Sequence, residues 1–131
     1  MENTENIINA EETIELGRIV RKSVFPSHMK KSVIFNAQND AESLSKAGVD
    51  VLTLAGVLLI SGSKAVTHEP CINTYLITDE GHAYVTQSDG IRATVERMLD
   101  MYEDDVAGIV IRIVSQDIGN GRTRKIVRIM D

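Results

Sequence analysis

The chain has 131 residues, 43% hydrophobic and 25% charged, which fits one soluble domain able to bury a core without disulfides or metal. Its longest apolar run, Val49 to Ile60, is broken by Asp50, Thr53 and Gly56, which excludes a membrane span, and the lone Cys71 excludes a disulfide framework. The net charge of −5 weighs against a polyanionic partner only until its distribution is read: Glu2, Glu5, Glu11, Glu12 and Glu15 precede any Lys or Arg, and beyond residue 15 acids and bases balance at 14 each.

The N-terminal residues 4–21 read as a helix, with Asn3 or Thr4 as N-cap, acids early and Arg18, Arg21 and Lys22 late, as the helix dipole prefers. Met1 to Glu5 lacks the basic and apolar regions of a signal peptide, so the cytoplasm is the expected compartment. Pro26 ends any continuation, and Ser32–Asn36 reads as a short strand rich in β-branched and aromatic side chains. A short helix is expected over Ala41–Ala47, capped by Asn39 or Asp40 and closed by Gly48 in the left-handed region.

Val49–Ser61 is then a long strand, and Gly56 near its middle marks a bulge or bend. Asn73–Thr78 and His82–Thr86 form a hairpin around Asp79-Glu80-Gly81. A helix capped by Ser88 or Asp89 follows, with Ile91, Val95, Met98, Leu99 and Tyr102 at helical spacing on one face. Gly108–Ser115 alternates, with Ile109, Ile111 and Ile113 opposite Arg112, and Asn120-Gly121 is a turn signal before Arg122–Met130.

A long strand, a hairpin, a helix and a second hairpin make a mainly β chain with the element order of an OB-fold, a small barrel that often binds single-stranded nucleic acid. The expected organisation is an N-terminal helical or extended segment over residues 1–31, acidic then basic, and an OB-like domain over 32–131. The helix would close the bottom of the barrel.

At this point residues 49–130, about two-thirds of the chain, resemble the single-stranded DNA-binding OB-fold proteins of bacteriophages and mobile elements. The stretch NTYLITDEGHAYVTQSDGIRATVERMLD carries most of the likeness, and SVIFNAQNDAESLSKAG before it adds some. The resemblance implies a non-enzymatic, sequence-tolerant role in replication or recombination, in the host cytoplasm if phage-encoded. Single-stranded DNA is the implied partner, together with replication or recombination proteins, and no cofactor. By position, the family's binding surface falls on Asn73–Thr86, on the loop with Lys64 and His68, and on Ile118–Lys125. The chain departs from the family in having no Trp, only 3 Tyr and 2 Phe, and an acidic segment that comes first.

Stacking of a base requires an outward aromatic, so hairpin register matters. A three-residue turn sets Leu76 opposite Tyr84 and divides Tyr75, Ile77, Ala83 and Val85 from Thr74, Leu76, Thr78, His82, Tyr84 and Thr86. The second set is more polar and is expected to face outward, with Tyr84 as the stacking platform and Tyr75 as the second candidate. A two-residue turn would instead put Tyr84 beside Tyr75 and Ile77. Arg112, Arg124 and Arg128 are placed to form a phosphate-tracking row, with Lys64, Arg122 and Lys125 as further phosphate ligands and Arg18, Arg21, Lys22, Lys30 and Lys31 as an extension. The same arginines also suit an edge strand that resists sheet-to-sheet association. His28, His68 and His82 lack metal-ligand spacing, and no nucleophile has a base in view, so neither a metal site nor an enzyme is expected. The alternative is a protein-binding or structural β-barrel module without a nucleic-acid function, and edge strands leave room for a homo-oligomer.

Overall fold

The computed structural model describes residues 20–64 and 66–130. One long strand organises it. β3 (Val51–Ser63) pairs antiparallel with β4 (Pro70–Thr78) along one edge. Along its other edge, Val51–Thr53 pair with β6 (Val110–Gly119), while Val57–Ile60 pair with β1 (Val20–Val24). The exchange of neighbours falls at the register shift between Leu54 and Gly56. A side chain at residue 56 would run into the Phe25 ring and the Val24 carbonyl, so the bend expected at Gly56 is also a close crossing that only glycine permits.

The sheet runs β2-β5-β4-β3-β6-β7, where β2 is Glu42–Ser43, β5 is Ala83–Thr86 and β7 is Arg122–Met130. It curls into a half-barrel, and the chain is mainly β. On the concave side lies the main core, in which Leu52, Leu54, Val57, Leu59, Leu76 and Ile111 pack against Ile91, Val95, Met98 and Leu99. Those last four belong to the helix Asp89–Met101. The Ile91 amide donates to the Ser88 hydroxyl (3.2 Å), which makes Ser88, of the two caps read from the sequence, the one used.

Two helices precede it among the described residues, and it is labelled α3. α1 spans Lys31–Asn39 and α2 spans Leu44–Ala47. The strand expected at Ser32–Asn36 is therefore corrected to helix. Helical spacing puts Ile34 and Ala37 on one side, where they cover a second core of Leu58, Ile60, Tyr75, Ile77 and Ala83 on the outer face of the sheet. That burial outweighs the strand preference of Val33, Ile34 and Phe35. α2 ends at Gly48 with φ +69°, the left-handed position read from the sequence. The N-terminal helix expected over residues 4–21 lies outside the described residues except for Val20 and Arg21, which open β1.

α3 is also fastened to β7. The Val127 amide donates to the Thr94 hydroxyl (2.9 Å), and a side chain on Gly90 would overlap the Lys125 carbonyl oxygen. Helix backbone thus lies directly against the outer edge of the last strand. This covers part of an edge that would otherwise offer unpaired amides to another chain.

Candidate functional site

The two hairpins were the candidate surfaces, and the structure treats them differently. In β4–β5 the turn is the three-residue one: the Thr78 amide donates to the His82 carbonyl (2.8 Å), the Gly81 amide to the Thr78 carbonyl (3.0 Å), and Gly81 has φ +85°. Leu76 faces Tyr84, as that turn requires. The assignment of faces, however, is reversed. Thr74, at 0% exposure, and Leu76 point into the main core, and Tyr84 is half-buried against it. Tyr75, Ile77, Ala83 and Val85 form the outer face, which α1 and Phe25 cover.

Polarity misled because a threonine hydroxyl can be satisfied without water. The Thr78 hydroxyl accepts the His82 amide (3.2 Å) inside its own hairpin. The Thr74 hydroxyl has no partner among the described residues and is simply buried. Tyr75, at 6% exposure, has no ring face open to a base. Neither tyrosine stands free on the surface.

The β6–β7 hairpin is bare by comparison. Its register sets Arg112 opposite Arg128, Gln116 opposite Arg124 and Gly119 opposite Arg122. Alternation then puts the exposed Arg112, Arg124 and Arg128 on one side, with half-buried Val114 and buried Ile126 between them, while Ile111, Ile113 and Val127 face the main core. Arg122 shares that side of β7. The Arg124 Nε donates to the Gln116 Oε1 (3.1 Å), which orients the guanidinium, and its terminal nitrogens have no partner among the described residues.

Pairing with β3 ends at Arg112, and the last link is the Ile113 amide to the Asp50 carbonyl (2.8 Å). Beyond it the hairpin is a two-stranded arm, exposed from Ser115 to Lys125 and about 17 Å long at ordinary strand rise. Its tip is Asn120-Gly121, both left-handed (φ +55° and +70°), the geometry of a type I′ turn.

Among the described residues the arginines of the arm have no carboxylate partner. Among the described residues the ion pairs are Lys22–Asp104 (3.0 Å), Arg92–Glu96 (2.7 Å) and Arg92–Asp89 (3.8 Å), and none involves an arginine of the last hairpin. The acid within the arm, Asp117, pairs across to Thr123 on the opposite side and accepts the Gly119 amide (2.8 Å). Two like charges directly opposed on an antiparallel ladder destabilise it, and an anion bridging Arg112 and Arg128 would remove that cost. The arrangement suits an extended anion whose charges follow the strand.

The other cationic candidates are dispersed. Lys125 pairs with Ser115 on the far side from the arginines and lines a cleft of about 260 Å³ with Ser45, Thr86 and Ser88. Lys64 is exposed at the β3–β4 loop, whose ends are tied by its amide to the Glu69 carbonyl (2.9 Å). Burial pushes the nearby Cys71 thiol up; Lys64 opposes this shift and Asp89 adds to it. Lys22 is occupied by Asp104, Lys30 and Lys31 are exposed at the start of α1, and Arg18 lies outside the described residues. Among the described residues no three His, Cys, Asp or Glu side chains converge to hold a metal.

Three contributors to the site escaped the sequence reading. Gln116 aims Arg124, and Gly90 with Thr94 seats the base of the arm on α3. A glycine in the first turn of a strong helix, with threonine four residues on, was the available signal for the second feature. Comparison with known proteins finds no matching family, no matching curated protein and no matching solved structure.

Proposed function

We propose that the protein binds single-stranded DNA without enzymatic activity or sequence preference, on an OB-like barrel, and that the arginine side of the β6–β7 arm carries the phosphates. The observation that carries this reading is the opposition of Arg112 and Arg128, flanked by Arg124 and Arg122 and unpaired with any carboxylate among the described residues. The barrel part of the reading draws support from the strand path β5-β4-β3-β6-β7 with α3 between β5 and β6. Replication or recombination of a phage or mobile element is the setting that goes with it.

Because β4 and β5 offer no free aromatic, affinity rests on charge and falls steeply with salt. Four phosphate contacts on a single strand correspond to a slope of log K against log salt of about −3. The test is fluorescence anisotropy with labelled single- and double-stranded oligonucleotides over a salt series, using the native protein and an Arg112→Ala/Arg128→Ala variant. Tighter binding to the single strand, with a slope near −3 that drops by about 1 to 2 in the variant, is the expected result. No binding at low salt, or a preference for duplex, overturns it.

A second reading, a protein-binding module without a nucleic-acid function, is favoured by one observation: α1 and Phe25 cover the outer face of β4–β5. The same titration separates the two, since this module leaves both oligonucleotides unbound.

A further inference from the structure

The main core is not closed everywhere. Where α3 meets the end of β7, a groove of about 180 Å³ runs between Met98 and Met101 on the helix and Val127 and Ile129 on the strand. Ile129 lies opposite Ile111 on the core-facing side of the hairpin, yet Ile111 is 0% exposed and Ile129 is 38% exposed. Beside it Met101 is 81% exposed and Tyr102 is 39% exposed. Apolar side chains of this size, gathered around a groove, mark an interaction surface more often than scattered ones do.

The charges around the groove indicate what covers it. Arg97 lines it one helical turn before Met101 and has no carboxylate partner among the described residues. Glu103, exposed and next to Tyr102, lies past Met101, and among the described residues it is not paired with a cation. A cation before Met101 and a carboxylate after it make the patch complementary to itself when turned by a two-fold axis. Such an interface uses the same residues from both subunits.

We propose that this groove is the contact surface of a symmetric homodimer, with the axis near Met101, the two α3 helices antiparallel, and Arg97 of each subunit against Glu103 of its partner. Methionine suits this position because its unbranched side chain adapts to an irregular opposing surface. The inference stands apart from the DNA-binding reading, since it concerns a different surface and a different measurement.

Sedimentation equilibrium of the full chain, over a concentration series reaching about 100 µM, tests it. The fitted mass should approach twice the 14.4 kDa of one chain. Met101→Lys and Arg97→Glu should each weaken association by at least about tenfold, and Arg97→Glu/Glu103→Arg should recover it. Far-UV circular dichroism checks that each variant is folded, which their surface positions favour. A chain that stays monomeric throughout, or a dimer that both single variants leave intact, overturns the proposal. So does a monomer whose melting temperature drops on Met101→Lys, because the groove would then be covered by the chain itself.

Discussion

The two hairpins are built from similar raw material and end in opposite environments. β4–β5 is short, lies mid-sheet, and is packed on both sides, by α3 and the main core within and by α1 and Phe25 without. β6–β7 is longer than the neighbours that could cover it, so its base is in the core and its distal half is exposed on both sides. Surface available to a ligand therefore depends on the helices and on how far each hairpin overruns its neighbours. Polarity within a hairpin does not by itself reveal it.

The contrast can be broken most forcefully at Tyr75. If that ring is core, Tyr75→Ala should cost about 3–5 kcal/mol in denaturant unfolding, a loss no surface platform would show. Gly90→Ala comes next: alanine is the better helix former, yet here it should destabilise by about 1–3 kcal/mol, because α3 must move off the Lys125 carbonyl. A gain would mean that the base of the arm is not seated on the helix. Thr74→Val tests the buried side of β4 in the other direction, since removing an unpartnered hydroxyl should raise stability by about 1 kcal/mol in the same measurement. The smallest effect belongs to the exposed hairpin. Arg128→Gln should stabilise the free protein by about 0.5 kcal/mol in low salt, and added salt should shrink the gain, as relief of like-charge opposition requires.

Much of the frame was legible. Strict spacing of Ile91, Val95, Met98 and Leu99 specified α3, Ser88 and Asp89 bracketed its start, and Asn120-Gly121 and Gly81 marked two turns through their left-handed backbone. These are local signals, carried by periodicity and by φ. The arginine row was legible for the same reason: residues two and four apart on one strand share a side whatever lies around them. What failed to read depended on contacts distant in sequence. Ser32–Asn36 has strand-like composition and became helix because Ile34 and Ala37 meet Leu58 and Tyr75. Tyr84 looked exposed because its hairpin neighbours are threonines, and a threonine fits a core once its hydroxyl is bonded locally, as at Thr78.

The sequence alone determined the element types after residue 48, the turns between them and the segregation of charge onto the last hairpin, because each follows from short-range sterics and strand or helix periodicity. Only the tertiary structure decided which side of each sheet faces solvent. Two faces of one strand are equivalent until a helix packs on one of them, and here helices pack on both sides of β4–β5 while Ser115–Lys125 of the arm stay exposed.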